Sequence, residues 1–243
     1  MSETFFRALV VKKNDDKTFT REVTERKIND LPEGEVLIRV RYSSLNFKDG
    51  LSCIGNPGVT RNYPHTPGID ASGEVAESSD SRFKEGDFVI VSGYNLGMDT
   101  SGGFGQYIRV PADWIEPLPE GLTIKEAAIY GVAGFTAALS VDALQKHGIV
   151  PEDGEVVVTG STGGVGSVSV ALLSHLGYNV VASTGKKEES EFLSGIGASQ
   201  IISREEVNDE SNKPLLSERW GAAIDSVGGN TLATLLKAVK RGG

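Results

Sequence analysis

Thr159-Gly160-Ser161-Thr162-Gly163-Gly164-Val165-Gly166 decides how the chain is read. The run begins on the last residue of Glu155–Thr159, a short buried strand by composition, and opens a helical stretch from Val165 to Leu176. That helix puts Val165, Val168, Leu172 and Leu176 on or near one apolar face. Gly160, Gly163 and Gly166 give a G-x-x-G-x-x-G spacing, a variant of the dinucleotide fingerprint. Glycine lets the chain turn sharply and brings backbone N–H groups up to a pyrophosphate. The helix start adds unpaired donors and a partial positive charge. Thr162, Gly164 and Val165 share the loop and are expected to face the same ligand. The plainer alternative is a tight strand-to-helix turn that binds nothing.

Working outward, the context supports the fingerprint. Asn179–Ala182 reads as a second strand, Glu188–Ile196 as a helix closed by Gly197, Gln200–Ser203 as a third strand and Ala222–Asp225 as a fourth. Such alternation predicts an α/β domain with a parallel, doubly wound sheet. The charged stretch Arg204–Lys213 reads as a solvated helix or loop. Upstream, Val36–Tyr42 and Phe88–Val91 read as strands after turns, and Gly-rich turns recur at Gly55–Gly58 and Gly102–Gly105, which predicts an antiparallel barrel or sandwich. Thr123 and Glu126 have capping-box spacing. Ala127–Leu144 then reads as helix, divided at Gly131 and Gly134. The expected domains are therefore residues 1–123 and 124–243. The chain ends on Lys240-Arg241-Gly242-Gly243, where a Gly-Gly pair after a helix introduces another strand, so the sequence reads as a fragment with an incomplete second domain.

Composition narrows the partners. The chain has 243 residues, 39% hydrophobic and 23% charged, and a formal net charge of -9. That acidity argues against nucleic acid as the main partner, which needs a basic footprint. A single cysteine, Cys53, allows no disulfide within the chain and suits a reducing cytoplasm. Met1–Val11 lacks the order of a secretory signal, and no run approaches the ~18 apolar residues of a membrane span, so a cytoplasmic protein with no membrane partner is expected.

The second strand bears on cofactor type. An NAD site usually carries an acid about 20 residues after the fingerprint, on the ribose 2′-OH. Ser183-Thr184-Gly185-Lys186-Lys187 holds no acid before Glu188; it offers two hydroxyls and two ammonium groups, which suit a 2′-phosphate. The expectation is NADPH, with Arg204 either a further cation or an ordinary surface charge. Asp225-Ser226-Val227-Gly228-Gly229 ends the fourth strand, where such sheets open on their ligand, so Ser226, Val227 and Gly228 are expected near the nicotinamide half.

Several segments resemble the medium-chain dehydrogenase/reductase superfamily, in the family's order and across nearly the whole chain. They are the glycine loop, Ser43-Ser44-Leu45-Asn46-Phe47-Lys48-Asp49, Pro67–Gly73, Gly102–Tyr107 and Ala133–Ala137. The nearest likeness is to the zinc-free quinone oxidoreductase-like branch that includes acrylyl-CoA reductases. The resemblance implies a GroES-like partial β-barrel followed by a Rossmann domain, with a return to the first domain that this chain lacks. It also implies a homodimer formed through the Rossmann domain, although the edge strand that would form it is missing here. Asn46 and Asp49 are implied to lie near the reaction and Phe47 against the nicotinamide, where Phe47 replaces a common Tyr and supplies no phenolic proton. As turn formers, Asn46 and Asp49 have an equally good structural reading.

Metal is not expected. Zinc-dependent members carry Gly-His-Glu where this chain has Gly68-Ile69-Asp70, and His65, His147 and His175 are scattered. His65 reads as a turn residue and Cys53 as a small packed one. Lacking a metal to polarise a carbonyl, the chain is better suited to an activated alkene or a quinone. Three readings stand: an NADPH-dependent reductase of an enoyl thioester such as acrylyl-CoA, with Lys48 and Arg61 as candidate cations for the CoA; an NADPH:quinone oxidoreductase; and a non-catalytic NADPH-binding protein.

Overall fold

Alternate residues of Phe5–Lys13 (β1) are buried, Phe6, Ala8 and Val10 among them, which is the signature of a strand with one face on a core. It pairs antiparallel with Phe19–Lys27 (β2), most of whose side chains point to solvent. A second antiparallel sheet contains Val36–Tyr42 (β3), Asp70–Ser78 (β4), Phe88–Ser92 (β5), Tyr107–Val110 (β6) and Ile115–Pro117 (β7), in the order β6-β3-β4-β5-β7. Its core includes Val36, Ile38, Val75, Val89, Val91, Leu96 and Ile108. The short helix Phe47–Cys53 (α1) lies in the connection between β3 and β4. Trp114 stacks on Tyr94, with ring centroids 5.2 Å apart and planes 5° apart.

The computed structural model describes residues 4–211 and 213–242; Met1–Glu3, Asn212 and Gly243, which belong to segments read above at both termini and in the charged run, lie outside the described residues. The chain forms two compact units, Met1–Val132 and Ala133–Gly243. The division falls within a helical segment, Ile124–Lys146 (α2). Thr123 caps it as its spacing predicts: Thr123 N donates to Glu126 Oε2 at 2.8 Å and Glu126 N to Thr123 Oγ1 at 3.2 Å. Gly131, at φ 48 and ψ -152, breaks the helix, a conformation open to glycine and strained for other residues. Gly134, expected to divide it again, is instead helical and buried. By length and composition α2 is apolar enough to cross a membrane, contrary to the expectation from sequence. The break leaves two pieces, 124–130 and 132–146, each shorter than the ~20 residues a spanning helix needs.

In the second unit Val156–Thr159 (β8), Val180–Thr184 (β9), Gln200–Ser203 (β10) and Ala222–Ile224 (β11) form a parallel sheet in the order β10-β9-β8-β11. Every residue of β8 and β9 is buried, as expected of a parallel sheet covered on both faces. Val156, Val158, Val180 and Ala182 enter one core, and Val157 and Val181 the opposite one. Each buried valine contributes on the order of 1.5–3 kcal/mol. Trp220 belongs to the second of these cores, 1% exposed, with the Arg219 guanidinium 4.7 Å from its ring centroid. The helices are Gly164–His175 (α3), Ser190–Gly195 (α4) and Gly229–Ala238 (α5).

The face that α3 buries is not the one read from Val165, Val168, Leu172 and Leu176. Gly166, Ser169, Val170 and Leu173 are buried, Val165, Val168 and Leu172 are half-buried, and Leu176 is exposed. Gly166 and Ser169 let the start of the helix lie close to the sheet while Val170 and Leu173 fill the core beyond them, and Ser169 satisfies its hydroxyl on Val165 O at 2.8 Å. The charged stretch after β10 is not wholly solvated either, since Val207 is fully buried.

His65 sits in the first unit's core rather than in a plain turn. It bridges Val11 through two backbone hydrogen bonds, and its Nε2 pairs with Gly97 O at 2.8 Å. Burial pushes its pKa below the ordinary 6.5. The unfolded chain therefore binds that proton more readily, so this contribution is complete above pH 6.5 and declines as pH falls through it. Urea unfolding at pH 7.5 and pH 5.5 should show less acid loss of stability for His65→Gln than for the unsubstituted chain.

Candidate cofactor site

The loop after β8 is built by close approach. Gly160 has φ 60, and Gly163 N donates to Gly160 O at 2.9 Å, closing a turn that delivers the chain into α3. A Cβ at Gly166 would lie 2.3 Å from Gly160 O and 2.7 Å from Ser161 Cα, so any larger residue forces the helix off the loop. Ser161, fully buried, donates to Val158 O at 2.6 Å and to Ser183 O at 3.1 Å, which ties the ends of β8 and β9 together. The first bond of α3 runs from Ser167 N to Gly163 O at 2.8 Å, so the amides of Gly164, Val165 and Gly166 precede the helix's own ladder. Gly163 and Gly164 are exposed and Thr162 and Val165 half-buried. A cradle of backbone amides that a Cβ would fill, at a helix start, fits a pyrophosphate.

At the end of β9 the structure separates the two hydroxyls read from the sequence. Ser183 is 1% exposed, enclosed in the middle of the sheet, and is not part of the displayed surface. Thr184 Oγ1 accepts a bond from Lys186 N at 3.0 Å and borders a depression of about 550 Å³ with Lys187, Ser190, Ile201, Ile202, Ser203 and Glu206. The surface here is made by Gly185, Lys186 and Lys187, all exposed. Arg204 joins them: Cδ, Nε and Cζ of its side chain lie 3.1–3.2 Å from where a Gly185 Cβ would stand. Its Nε is 3.4 Å from Glu205 Oε1, an exposed pair of small energetic weight. The Arg204 side chain thus lies against the backbone that leads into Lys186 and Lys187, just past the end of β9.

Ser226, Val227 and Gly228 form the turn after β11, with Ser226 and Val227 exposed. Asp225 orders that turn, accepting from Gly228 N at 2.8 Å and Val227 N at 3.3 Å. Asp225 and Thr159 were not singled out from the sequence; a Thr ending one central strand and an Asp ending its neighbour were the available signal.

In the first unit Asn46 and Asp49 do different work. Asp49 is buried and its carboxylate is taken up by backbone amides: Asn46 N at 2.8 Å, Gly68 N at 3.1 Å and Ile69 N at 3.0 Å. Burial raises its pKa, partly offset by those amides. The acid thus holds the 46–69 loops together, in line with the turn-forming reading that stood beside the catalytic one. Asn46 is half-buried, its Nδ2 3.0 Å from Ser44 Oγ and 3.2 Å from Asp70 Oδ2. Asp70 also accepts from Ser44 N at 2.7 Å, from the Ser44 hydroxyl and from Val132 N at 3.2 Å. A carboxylate on that side fixes which end of the Asn46 amide is nitrogen. Phe47 is 85% exposed, and Lys48 is exposed. Arg61 Nε reaches Pro57 O at 3.3 Å. Cys53 is half-buried, with its thiol pKa raised by burial. Among the described residues no three His, Cys, Asp or Glu side chains come together as a metal site.

A parallel sheet with a glycine cradle at its centre and cations beside it defines a dinucleotide-binding scaffold. Residues 32–120 match the alcohol dehydrogenase GroES-like domain. The chain is 49% identical over 240 residues to the putative quinone oxidoreductase YhfP of Bacillus subtilis, covering 99% of this chain and 72% of that protein. It is equally, 49%, identical over 239 residues to the acrylyl-CoA reductase AcuI of Ruegeria pomeroyi, covering 98% and 72%. The crystal structure of Bacillus subtilis yhfP with NAD bound superposes with a TM-score of 0.93 at 48% identity, over 99% of this chain and 73% of that one. The yhdH oxidoreductase of Salmonella enterica in complex with NADP gives 0.92 at 43%, over 98% and 72%. The chain belongs to the quinone oxidoreductase-like branch of the medium-chain dehydrogenase/reductase superfamily.

Gly166→Ala tests the cradle directly. The clash with backbone should cost about 1–3 kcal/mol, seen as a fall in melting temperature on the order of 5 °C.

Proposed function

We propose that this chain carries an NADPH-dependent reductase of an activated C=C bond, best matched to the conversion of acrylyl-CoA to propanoyl-CoA. It is an oxidoreductase and its cofactor is NADPH. Residues 1–123 serve as the substrate domain and residues 124–243 as the cofactor domain. The observation that carries the cofactor is the cluster of Lys186, Lys187 and Arg204 at the end of β9, with no acid between Ser183 and Lys187. One solved relative holds NAD and another NADP, so this cluster is what favours the phosphorylated form. Gly160, Thr162, Gly163, Gly164, Val165 and Gly166 hold the pyrophosphate; Gly185, Lys186, Lys187 and Arg204, bordered by Thr184, hold the 2′-phosphate; Ser226, Val227 and Gly228 serve the other half, with Phe47 against the nicotinamide. Ser183 acts from behind, through its carbonyl on Ser161.

When bound, NADPH supplies a hydride. The chain's own task is to orient the acceptor and stabilise charge as it develops on the thioester oxygen. Asn46, held by Asp70 and Ser44, positions the acceptor's carbonyl or a water; Asp49 keeps that loop in place. Support for the enoyl thioester comes from the 49% identity to an acrylyl-CoA reductase. The equal identity to a putative quinone oxidoreductase favours a quinone as the second reading.

NADPH oxidation with acrylyl-CoA and with a simple quinone, measured in parallel, separates them. Fast turnover of acrylyl-CoA and slow turnover of quinone is expected; the reverse moves the protein to the quinone reading, and turnover of neither with NADPH still bound makes it a binding protein. Replacing Lys186 and Lys187 by Glu should weaken NADPH about tenfold or more while leaving NADH nearly unchanged. Equal loss for both cofactors would overturn the 2′-phosphate assignment.

A further inference from the structure

The glycine loop after β8 and the turn after β11 are not independent pieces. Thr159, the last residue of β8, donates its hydroxyl to Asp225 Oδ1 at 2.5 Å. Thr159 Oγ1 itself accepts from Ser226 N at 3.3 Å. Ser226 Oγ returns a bond to Thr159 O at 3.1 Å, and a Cβ on Gly160 would lie 2.6 Å from it. Asp225 in turn takes the amides of Val227 and Gly228 at 3.3 and 2.8 Å. Thr159 is 1% exposed, so its hydroxyl works out of reach of water. One side-chain pair thereby sets the distance between the two turns.

From these contacts we infer that Thr159 and Asp225 are positioning residues for the half of the dinucleotide that lies away from the cations. The inference rests on the dinucleotide reading above. Strand order supplies the direction. In β10-β9-β8-β11 the cations sit at the end of β9, the cradle at the end of β8, and the Asp225–Gly228 turn on the far side of the cradle. Ligands in such sheets lie across the strand ends at the point where the order reverses. A dinucleotide whose 2′-phosphate meets the cations therefore lays its other half over the turn that the clasp holds. Loosening the clasp lowers affinity for the whole molecule and spares a fragment that ends at the cradle.

The test is calorimetric titration of NADPH and of 2′,5′-ADP, the adenosine half alone, with the unsubstituted chain, Thr159→Val, Thr159→Ser and Asp225→Ala. Thr159→Val removes the hydroxyl at nearly constant volume and should weaken NADPH about tenfold, with 2′,5′-ADP unchanged within about twofold. Thr159→Ser keeps the hydroxyl and should restore NADPH binding, and Asp225→Ala should reproduce the selective loss. Melting curves confirm that each variant is folded. Parallel loss of both ligands, which a merely structural role would give, overturns the proposal, as does undiminished NADPH binding by Thr159→Val. An unsubstituted chain that binds neither ligand overturns the dinucleotide reading itself, and the clasp with it.

Discussion

Helix α3 begins almost in contact with the strand end it follows, and the rest of the second unit is arranged around that contact. Gly166 has no room for a side chain against Gly160 O, and Ser169 continues the small-residue face inward. Because the helix lies so close, its first amides are delivered at the centre of the sheet, where β9 and β11 leave β8 on opposite sides. Ser161 then bonds outward to β9 and Thr159 to the turn after β11. The cradle, the cationic strand end and the far turn are thus parts of one hydrogen-bonded platform.

The first unit meets a different constraint. Its buried carboxylates are used as connectors, each collecting backbone amides from segments distant in sequence. Asp49 joins the start of α1 to Gly68 and Ile69, and Asp70 joins the Ser44–Asn46 loop to Val132 just past the break in α2. A buried acid with several amide donors is well compensated. The cost is that each carboxylate keeps little hydrogen-bonding capacity for anything else.

Legibility in the sequence followed the same physics. The valine runs of β8 and β9 and the glycines between β8 and α3 were readable because burial and close approach leave few residue types that fit. The break at Gly131 was readable as a glycine in a helical pattern; Gly134 looked the same and is not a break, since only tertiary packing distinguishes them. Strand β2 (FTREVTERK) and strand β4 (DASGEVAES) were missed because charges and small residues mask their alternation. The inner face of α3 was misread for a related reason: Val165 and Leu176 suggest a core by size, but close approach to the loop places Gly166 and Ser169 inward together with Val170 and Leu173. Ser183 and Thr184 looked like a displayed pair, yet adjacent strand residues point to opposite faces and here both are buried. The clasp of Thr159 and Asp225 joins residues 66 positions apart, a pairing no local pattern announces.

The two tryptophans of the chain fall one to each unit, and their surroundings differ. Trp114 lies flat against the Tyr94 ring among the antiparallel strands, while Trp220 is enclosed in the parallel-sheet core beneath a guanidinium. Each indole is thus an intrinsic optical label for its own half of the molecule. With one of the pair replaced by Phe, the emission of the other reports on a single unit, so cooperativity between the halves becomes a matter of whether two fluorescence transitions coincide.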